Sequence, residues 1–231
     1  MNASTCLQSE TLRALAAQAG LVNPSISIIP LEGQPSSLAL QTTHYPASMI
    51  KTPLAAALCA LWESGELRRD ETRIVEAQNL TANDSDSPLE PGYEARLEEL
   101  ARLMLVRSDN IATNVLIDAI GRERGTGYCC RIGLRSTAIR RKLSGADPLI
   151  ADPPATGRNA HPAADAAQLF SMIAKGSIAG ASWLFDTLAD QEWNDKLSAG
   201  WHAGDRFAHK TGDTSEVSHD GGILTTAEGR R

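Results

Sequence analysis

The sequence predicts an α/β fold of the α+β sandwich type, in which an antiparallel sheet formed from both chain ends packs against a mainly helical middle lobe. Three observations support this fold: β-prone runs lie near both ends, helical patterns fill the middle, and neither a linker nor an internal repeat divides the 231 residues. The hydrophobic content of 42% is sufficient for one substantial core. We therefore expect a single domain over residues 1–231, with a sheet lobe at about 1–45 and 203–231 and a helical lobe at about 46–202.

The predicted elements run from a helix and a hairpin at the start of the chain to a second hairpin at its end. The first twenty residues have the pattern of an amphipathic helix, and SISIIPLEGQPSSLALQ gives two β-prone runs around a Gly-Gln-Pro turn. Helical spacing then runs from Ile50 to Gly65 and returns in LEELARLMLV, IATNVLIDAIG, HPAADAAQLFSMIAKG and ASWLFDTLAD. The stretches at 67–93 and 133–158 are rich in turn formers and are predicted to be loops. Finally, DRFAHKTGDTSEVSHDGGILTT predicts two strands around a polar turn.

Composition and charge argue against several classes of function. The formal net charge is −6 with acidic and basic residues intermixed, so no nucleic-acid-binding face is predicted. No run of about 18 apolar residues predicts a membrane span. No signal peptide is predicted, so the compartment stays open: cytoplasmic as the chain is written, periplasmic or secreted if a leader has been removed. The four cysteines lack metal-ligand spacing and are predicted to be reduced and buried. We expect a monomer that acts on a small-molecule substrate without a metal or cofactor.

Three short polar motifs stand out from this background. Each one alone is a weak signal, because Ser-x-x-Lys occurs by chance, Ser-Asp-Asn between helices is usually a cap, and Lys-Thr-Gly at a strand end is usually a solvated turn. Their combined occurrence in this order is far more specific. The motifs are Ser48-Met-Ile-Lys51, Ser108-Asp109-Asn110 and Lys210-Thr211-Gly212.

The residue types in these motifs suit nucleophilic catalysis by a serine. Ser48 and Lys51 are three residues apart on one helical face, and a serine hydroxyl needs a neighbouring base to remove its proton. Desolvation and a second cation, supplied by Lys210, would lower the pKa of Lys51 enough for that task. Ser108 is placed to pass a proton, and Asn110 to bind the lysine or a substrate amide. The serine N–H and an N–H of the strand that carries the third motif would form an oxyanion hole worth roughly 3 kcal/mol per donor.

The motifs and the order of the helices resemble the serine β-lactamases and penicillin-recognising DD-peptidases, most closely the class A β-lactamase-like serine hydrolases. The resemblance implies that Ser48 is acylated, that Lys51 and Ser108 are proton-transfer partners, and that Lys210 binds the substrate carboxylate. A class A-like β-lactamase is the leading prediction. The alternatives are a DD-peptidase or esterase-like hydrolase, a non-hydrolysing penicillin-binding or sensor protein, and an inactive member of the fold. The residues expected to bind substrate are Asn110, Lys210, Thr211, Gly212 and Asp213.

One departure from the class A pattern concerns deacylation. Class A enzymes activate the deacylating water with a Glu in a Glu-x-x-x-Asn loop, but here no Glu lies between Glu123 and Glu192. In the matching segment, SGADPLIADPPATGRNAHP, the nearest carboxylates are Asp147 and Asp152, both beside proline and more typical of turns. Asn159 is the candidate for the Asn of the pattern. Because Asp reaches less far than Glu, the identity of the group that activates this water stays open.

A second departure concerns the substrate carboxylate and the end of the chain. Class A enzymes often place an Arg on the strand after Lys-Thr-Gly, whereas DTSEVSHDGG offers Asp213, Glu216 and Asp220, an acidic rim that repels an anionic carboxylate. His219 is the only residue of that stretch that could carry a positive charge, and a plain surface histidine is the favoured interpretation. The sequence ends at TTAEGRR, which resembles the turn before the last strand of the family, so we expect that strand and the C-terminal helix to be missing.

Overall fold

The computed structural model describes residues 8–144 and 157–231. These parts of the chain form a mixed α/β fold with antiparallel hairpins, which confirms the predicted fold class. The helices are α1 Ser9–Gln18, α2 Lys51–Glu63, α3 Leu97–Val106, α4 Asn110–Ile120, α5 Arg122–Arg131, α6 Ala163–Ala174 and α7 Ala181–Ala189. The strands are β1 Ile26–Ile28, β2 Ser36–Leu38, β3 Thr72–Ile74, β4 Glu94–Arg96, β5 Arg206–Asp213 and β6 Ser218–Thr225.

The strands of the described residues pair as antiparallel two-stranded sheets, β1 with β2, β3 with β4 and β5 with β6. In the last of these, the register runs without a break from Arg206 opposite Thr225 to Asp213 opposite Ser218. The hairpins predicted at the two ends of the chain are therefore present, but each pairs within itself in the described residues. Both hairpins pack against α6, so this helix connects the two ends where a shared strand ladder was expected.

Helix α2 lies at the centre of the hydrophobic core. Every residue from Lys51 to Cys59 is buried, a pattern that an amphipathic surface helix would not show. The alanines of α2 let α3, α4, α5 and α7 approach, and each buried leucine contributes about 1.5–3 kcal/mol. The fit is tight, because a β-carbon on Gly180, just before α7, would lie 2.7 Å from the Sγ atom of Cys59. Lys51 begins this helix, so a lysine enters the core at the first turn.

Two elements differ from the sequence prediction. Helix α5 lacks a predictive pattern, because RERGTGYCCR contains Gly125 and Gly127, which have low helix propensity. Close packing favours the helix instead: a β-carbon on Gly125 would lie 2.8 Å from the Cδ1 atom of Ile139. The prediction of a loop over 67–93 is wrong at β3, a strand of three residues that is stabilised by pairing with β4 and not by an apolar pattern of its own.

The three cysteines of the described residues are free thiols. Cys59 and Cys129 are free and buried, as predicted, and burial raises the pKa of each thiol to about 12, so neither is a reactive nucleophile. The prediction that Cys130 is buried is wrong: it is exposed, because adjacent residues on a helix face different directions. Cys6 lies outside the described residues. In the parts of the chain that the structure describes, no helix is long and apolar enough to cross a membrane.

Candidate active site

Ser48 lies on a short 3-10 turn, Ala47–Ile50, that leads directly into α2. The preceding Ala47 has a φ of 47°, a left-handed conformation that is uncommon for a residue with a β-carbon. The turn packs against β5, where a β-carbon on Gly212 would lie 3.0 Å from the N atom of Ser48 and 3.2 Å from the O atom of Pro46. Glycine allows this approach, which brings the backbone of the third motif onto the first.

Lys51 points away from solvent and toward the second motif. Its side chain is fully buried, and its Nζ lies 2.6 Å from the carbonyl oxygen of Ser108, 3.1 Å from Ser108 Oγ and 2.7 Å from Asn110 Oδ1. The predicted contact between Lys51 and Asn110 is therefore present. The hydroxyl of Ser48, in contrast, forms no hydrogen bond with Lys51 or with any other residue that the structure describes.

Ser108 joins the two lysines of the site. Lys210 Nζ donates to Ser108 Oγ at 3.0 Å and to the carbonyl oxygen of Thr211 at 3.0 Å. The Oγ atom is thus within hydrogen-bond distance of both Nζ atoms, that of Lys51 being at 3.1 Å. Ser108 has a φ of 58°, so the chain turns sharply between α3 and α4 at this residue. Residues of all three motifs therefore meet in one place, with the Ser108 hydroxyl between the two amines.

The two buried amines have lowered pKa values. For Lys51, burial and then the positive charge of Lys210 hold the pKa well below its ordinary value of 10.5, against the smaller opposing effects of Asp109 and Asp84. For Lys210, burial lowers the pKa from 10.5 to about 7. Loss of a proton from Lys51 would leave two N–H bonds for the acceptors at 2.6 and 2.7 Å and a lone pair beside the Ser108 hydroxyl. The lowered pKa values of the two amines favour this neutral form, which can accept a proton.

Asn110 connects this lysine to the segment that contains Ala82 and Asn83. Its Nδ2 donates to the carbonyl oxygen of Ala82 at 2.8 Å, and its backbone N–H donates to Asn83 Oδ1 at 2.6 Å. Neighbouring Asp109 caps α4 by accepting a hydrogen bond from the N–H of Ala112 at 2.8 Å. Asp109 thus provides the cap that this motif usually forms, which leaves the Oδ1 atom of Asn110 available for the lysine.

Asp213 ends β5, and its carboxylate is paired with a lysine outside the three motifs. Lys196 Nζ lies 2.5 and 2.6 Å from the two carboxylate oxygens of Asp213 and donates to the carbonyl oxygen of His219 at 3.0 Å. No motif marks Lys196, which lies 17 residues before Asp213 in a turn-rich segment. Lys196 therefore supplies a positive charge from outside the stretch that contains His219. The ring of His219 is half-buried, burial lowers its pKa, and its Nε2 donates to the carbonyl oxygen of Tyr45 at 2.7 Å.

Buried side chains hold the segment that carries Lys196. Asp220 accepts from the N–H of Leu197 at 3.0 Å through Oδ2 and lies 2.8 Å from His209 Nδ1 through Oδ1. The other ring nitrogen of His209 lies 3.2 Å from Asn194 Oδ1. The side chains of Asp220 and His209 are almost fully buried. Contacts on both sides of Lys196 in the sequence therefore fix its position.

Of the candidate deacylation residues Asp147, Asp152 and Asn159, the structure describes Asn159. Asp147 and Asp152 lie outside the described residues. Asn159 is buried, accepts from the N–H groups of Arg140 and Arg141 at 2.7 and 3.1 Å, and donates to the carbonyl oxygen of Arg141 at 3.0 Å. The amide of Asn159 is thus committed to the backbone of a neighbouring segment.

The geometry defines a class of site. A serine on a strained turn, an amine of lowered pKa, a second hydroxyl between two amines and a glycine at a close backbone approach are features that an acyl-transfer site with a serine nucleophile would need. Within residues 8–144 and 157–231, no group of three or more His, Cys, Asp or Glu side chains could hold a metal ion.

Sequence comparison agrees with this class. The sequence model of the β-lactamase enzyme family matches residues 8–231, so the chain belongs to this family. The predicted relationship to the serine β-lactamases and DD-peptidases is thereby confirmed, and by family and fold the protein is a serine β-lactamase-like hydrolase. No curated protein sequence matches the chain.

Solved structures of the same fold cover almost the whole chain. The β-lactamase from Sphaerobacter thermophilus DSM 20745 has a TM-score of 0.84 at 25% identity, over 95% of this chain and 84% of that one. An ancestral class A β-lactamase (GNCA) has a TM-score of 0.78 at 26% identity, over 96% of this chain and 86% of that one. The structure of PBP-A has a TM-score of 0.83 at 24% identity, over 99% and 87% respectively, and this likeness concerns the fold alone.

Proposed function

We propose that the protein is an acyl-transfer serine hydrolase, specifically a class A-like β-lactamase in which Ser48 opens the amide of a β-lactam ring. The observation that carries the proposal is the chain of contacts from Lys51 through Ser108 Oγ to Lys210, at 3.1 and 3.0 Å, beside the Ser48 turn. Neither amine is paired with a carboxylate of the described residues, and burial of two such groups costs stability. A purely structural role therefore does not account for the arrangement.

In the acylation step, the Oγ atom of Ser48 attacks the carbonyl carbon of the substrate and forms a C–O bond, and the C–N bond of the ring then breaks. The proton of Ser48 passes to the neutral amine of Lys51, directly or through water. Ser108 donates its proton to the leaving nitrogen and regains one from the lysine. Water then hydrolyses the resulting ester, which releases the acid and returns a proton to Ser48.

Two backbone N–H groups are suited to stabilise the negative charge on the carbonyl oxygen. The N–H of Ser48 is in the first turn of its helical segment and so has no partner within that segment. At the end of β5, the N–H of Thr214 donates to Val217 at 2.9 Å, and hydrogen-bonded pairs alternate along an antiparallel ladder. The N–H of Asp213 is therefore directed away from β6. Together these donors would supply roughly 3 kcal/mol each.

A second candidate function is a penicillin-binding or sensor protein that keeps the acyl group. The observation that favours this candidate is the absence of any Glu between Glu123 and Glu192, the region in which class A enzymes carry the carboxylate that activates water. With this carboxylate missing, acylation would outpace deacylation. A DD-peptidase or esterase-like hydrolase would use the same acylating residues with a different acyl donor.

Intact-mass spectrometry over time, with benzylpenicillin and a chromogenic cephalosporin, tests these candidates. A transient adduct with accumulating product would support the β-lactamase, and a lasting adduct would support the binding protein. Either adduct should be lost in Ser48→Ala and retained in Ser177→Ala, which removes an exposed hydroxyl after α6. If the folded protein forms no adduct with benzylpenicillin or with its uncharged methyl ester, acylation by β-lactams is refuted and esters and peptides become the compounds to test.

A further inference from the structure

An ion pair occupies the β5 end of the candidate site. Asp213 follows Gly212, the residue whose backbone packs on Ser48, and both of its carboxylate oxygens lie within 2.6 Å of Lys196 Nζ. The pair is open to solvent, because the side chain of Lys196 is 21% exposed and that of Asp213 is 53% exposed. It is also electrostatically part of the site: after burial, which dominates, the charges of Lys196 and Asp213 act in opposite directions on the pKa of Lys210.

The ammonium group of Lys196 has no N–H bond to spare. It has three donors, and the structure gives it three acceptors, the two carboxylate oxygens of Asp213 and the carbonyl oxygen of His219. The position of the Lys196 backbone is fixed by the neighbouring Leu197, whose N–H donates to the buried carboxylate of Asp220. A carboxylate on a substrate can therefore reach this cation only by displacing Asp213.

Other cations near this end of the candidate site are engaged as well. Lys210 is fully buried, and both of its hydrogen bonds go to oxygen atoms of the protein. Arg158 stacks over Tyr45 at 4.5 Å and lies 3.8 Å from the carboxylate of Glu216. An anionic group that enters here thus meets cations that already have partners, and it meets two acidic side chains beside them.

We infer, on the basis of the proposed function, that Asp213 is a specificity-determining residue. Its carboxylate fills the position beside Lys196 that an anion of the substrate would take. Ser48 is therefore acylated more readily by acyl donors whose group beside Lys196 is uncharged than by donors that place a carboxylate there. Among β-lactams and related acyl compounds, the preferred substrates are then those without a negative charge beside Lys196. A carboxylate that displaced Asp213 would leave two like charges side by side, which is unfavourable. A neutral group leaves the ion pair intact.

The test compares benzylpenicillin with its methyl ester, because these compounds differ by one negative charge. Second-order acylation rate constants are measured by intact mass for the wild type, Asp213→Asn and Asp186→Asn. Asparagine keeps the size and the backbone N–H of residue 213 but frees Lys196. Asp186 pairs with Arg206 at 3.1 Å at the opposite end of β5, so its variant removes the same charge from another ion pair. The ester-to-acid ratio is compared between proteins, which cancels the intrinsic reactivities of the two compounds.

We expect Asp213→Asn to lower the ester-to-acid ratio by about fivefold or more, and Asp186→Asn to leave it within about twofold. The reciprocal variant Lys196→Gln removes the cation and leaves the carboxylate, so it should raise the ratio; the test then does not depend on the folding of a single variant. If both compounds form adducts and neither variant changes the ratio, the inference is overturned while the proposed function stands. If the folded wild type forms an adduct with neither compound, the proposed function fails, and the inference fails with it.

Discussion

Lys210 should destabilise the fold near neutral pH, and its replacement by methionine should stabilise the protein. The side chain is fully buried, and burial lowers its pKa from 10.5 to about 7. A difference of this size between the unfolded and folded chains corresponds to roughly 4–5 kcal/mol of lost stability at low pH. Methionine has a similar length and no charge, but it cannot donate a hydrogen bond to Ser108 Oγ. The loss of this hydrogen bond reduces the gain in stability by about 1 kcal/mol. The expected gain in the free energy of unfolding of Lys210→Met at neutral pH is therefore about 3 kcal/mol.

The sign of the pH dependence follows from the direction of the pKa shift. Between pH 7 and 10.5 the unfolded chain binds a proton at Lys210 and the folded chain does not, so a rise in pH favours the folded state. The loss of stability caused by burying Lys210 has its full size below this pH range and vanishes above it. Lys51, whose pKa is also lowered, acts in the same direction. The stability of the wild type should rise with pH by up to about 1.4 kcal/mol per pH unit for each lysine.

Urea unfolding at a series of pH values from about 6.5 to 10 measures this effect. The free energy of unfolding of Lys210→Met should rise less steeply with pH than that of the wild type, by the slope that one proton contributes. At neutral pH its urea midpoint should be higher than that of the wild type. Lys175→Met, which removes an exposed lysine just after α6, is the matched control and should follow the wild type. Parallel profiles for the wild type and Lys210→Met would refute the reasoning, because they would mean that Lys210 binds its proton equally well in the folded and unfolded chains.

Two further substitutions test the packing around the site. Gly212→Ala puts a methyl group 3.0 Å from the backbone N of Ser48 and should lower the acylation rate constant by about 100-fold in intact-mass time courses; an unchanged rate would contradict the close approach. Gly180→Ala puts a methyl group 2.7 Å from Cys59 and should lower the free energy of unfolding by about 2 kcal/mol or more in urea. Gly176→Ala has a similar positive φ but open space around it, so an equal loss there would assign the effect to backbone strain alone.

The helices next to the site can be predicted from the sequence, because apolar spacing and turn formers are local signals. The end of α3 and the start of α4 coincide with the interruption that RSDN makes in the apolar pattern. Helix α5 cannot be predicted in this way. Gly125 and Gly127 weaken its local propensity, and its close packing against Ile139 is a contact between different segments.

The residues that meet at the candidate site could be predicted, and so could the contact of Lys51 with Asn110, but the shared contact at Ser108 could not. The motifs mark Ser48, Lys51, Ser108 and Lys210 because these residue types suit one reaction. They do not reveal that both amines meet at one hydroxyl, since that depends on the positive φ at Ser108 and on the path of the loop between α3 and α4. Lys196 has no motif at all, because its position is set by contacts with distant strands.

Several unfavourable features coincide at the candidate site. Of the four non-glycine residues with positive φ in the described chain, Ala47 and Ser108 belong to it, and so do two fully buried amines. Strained backbone of this kind costs of order 1–3 kcal/mol per residue. The position of these features around the Ser48 turn supports the proposal that the fold retains them for chemistry. Substitutions that relieve these costs, such as Lys210→Met, should therefore gain stability and lose acylation together; a variant that gains stability with full acylation would show that the cost is unrelated to function.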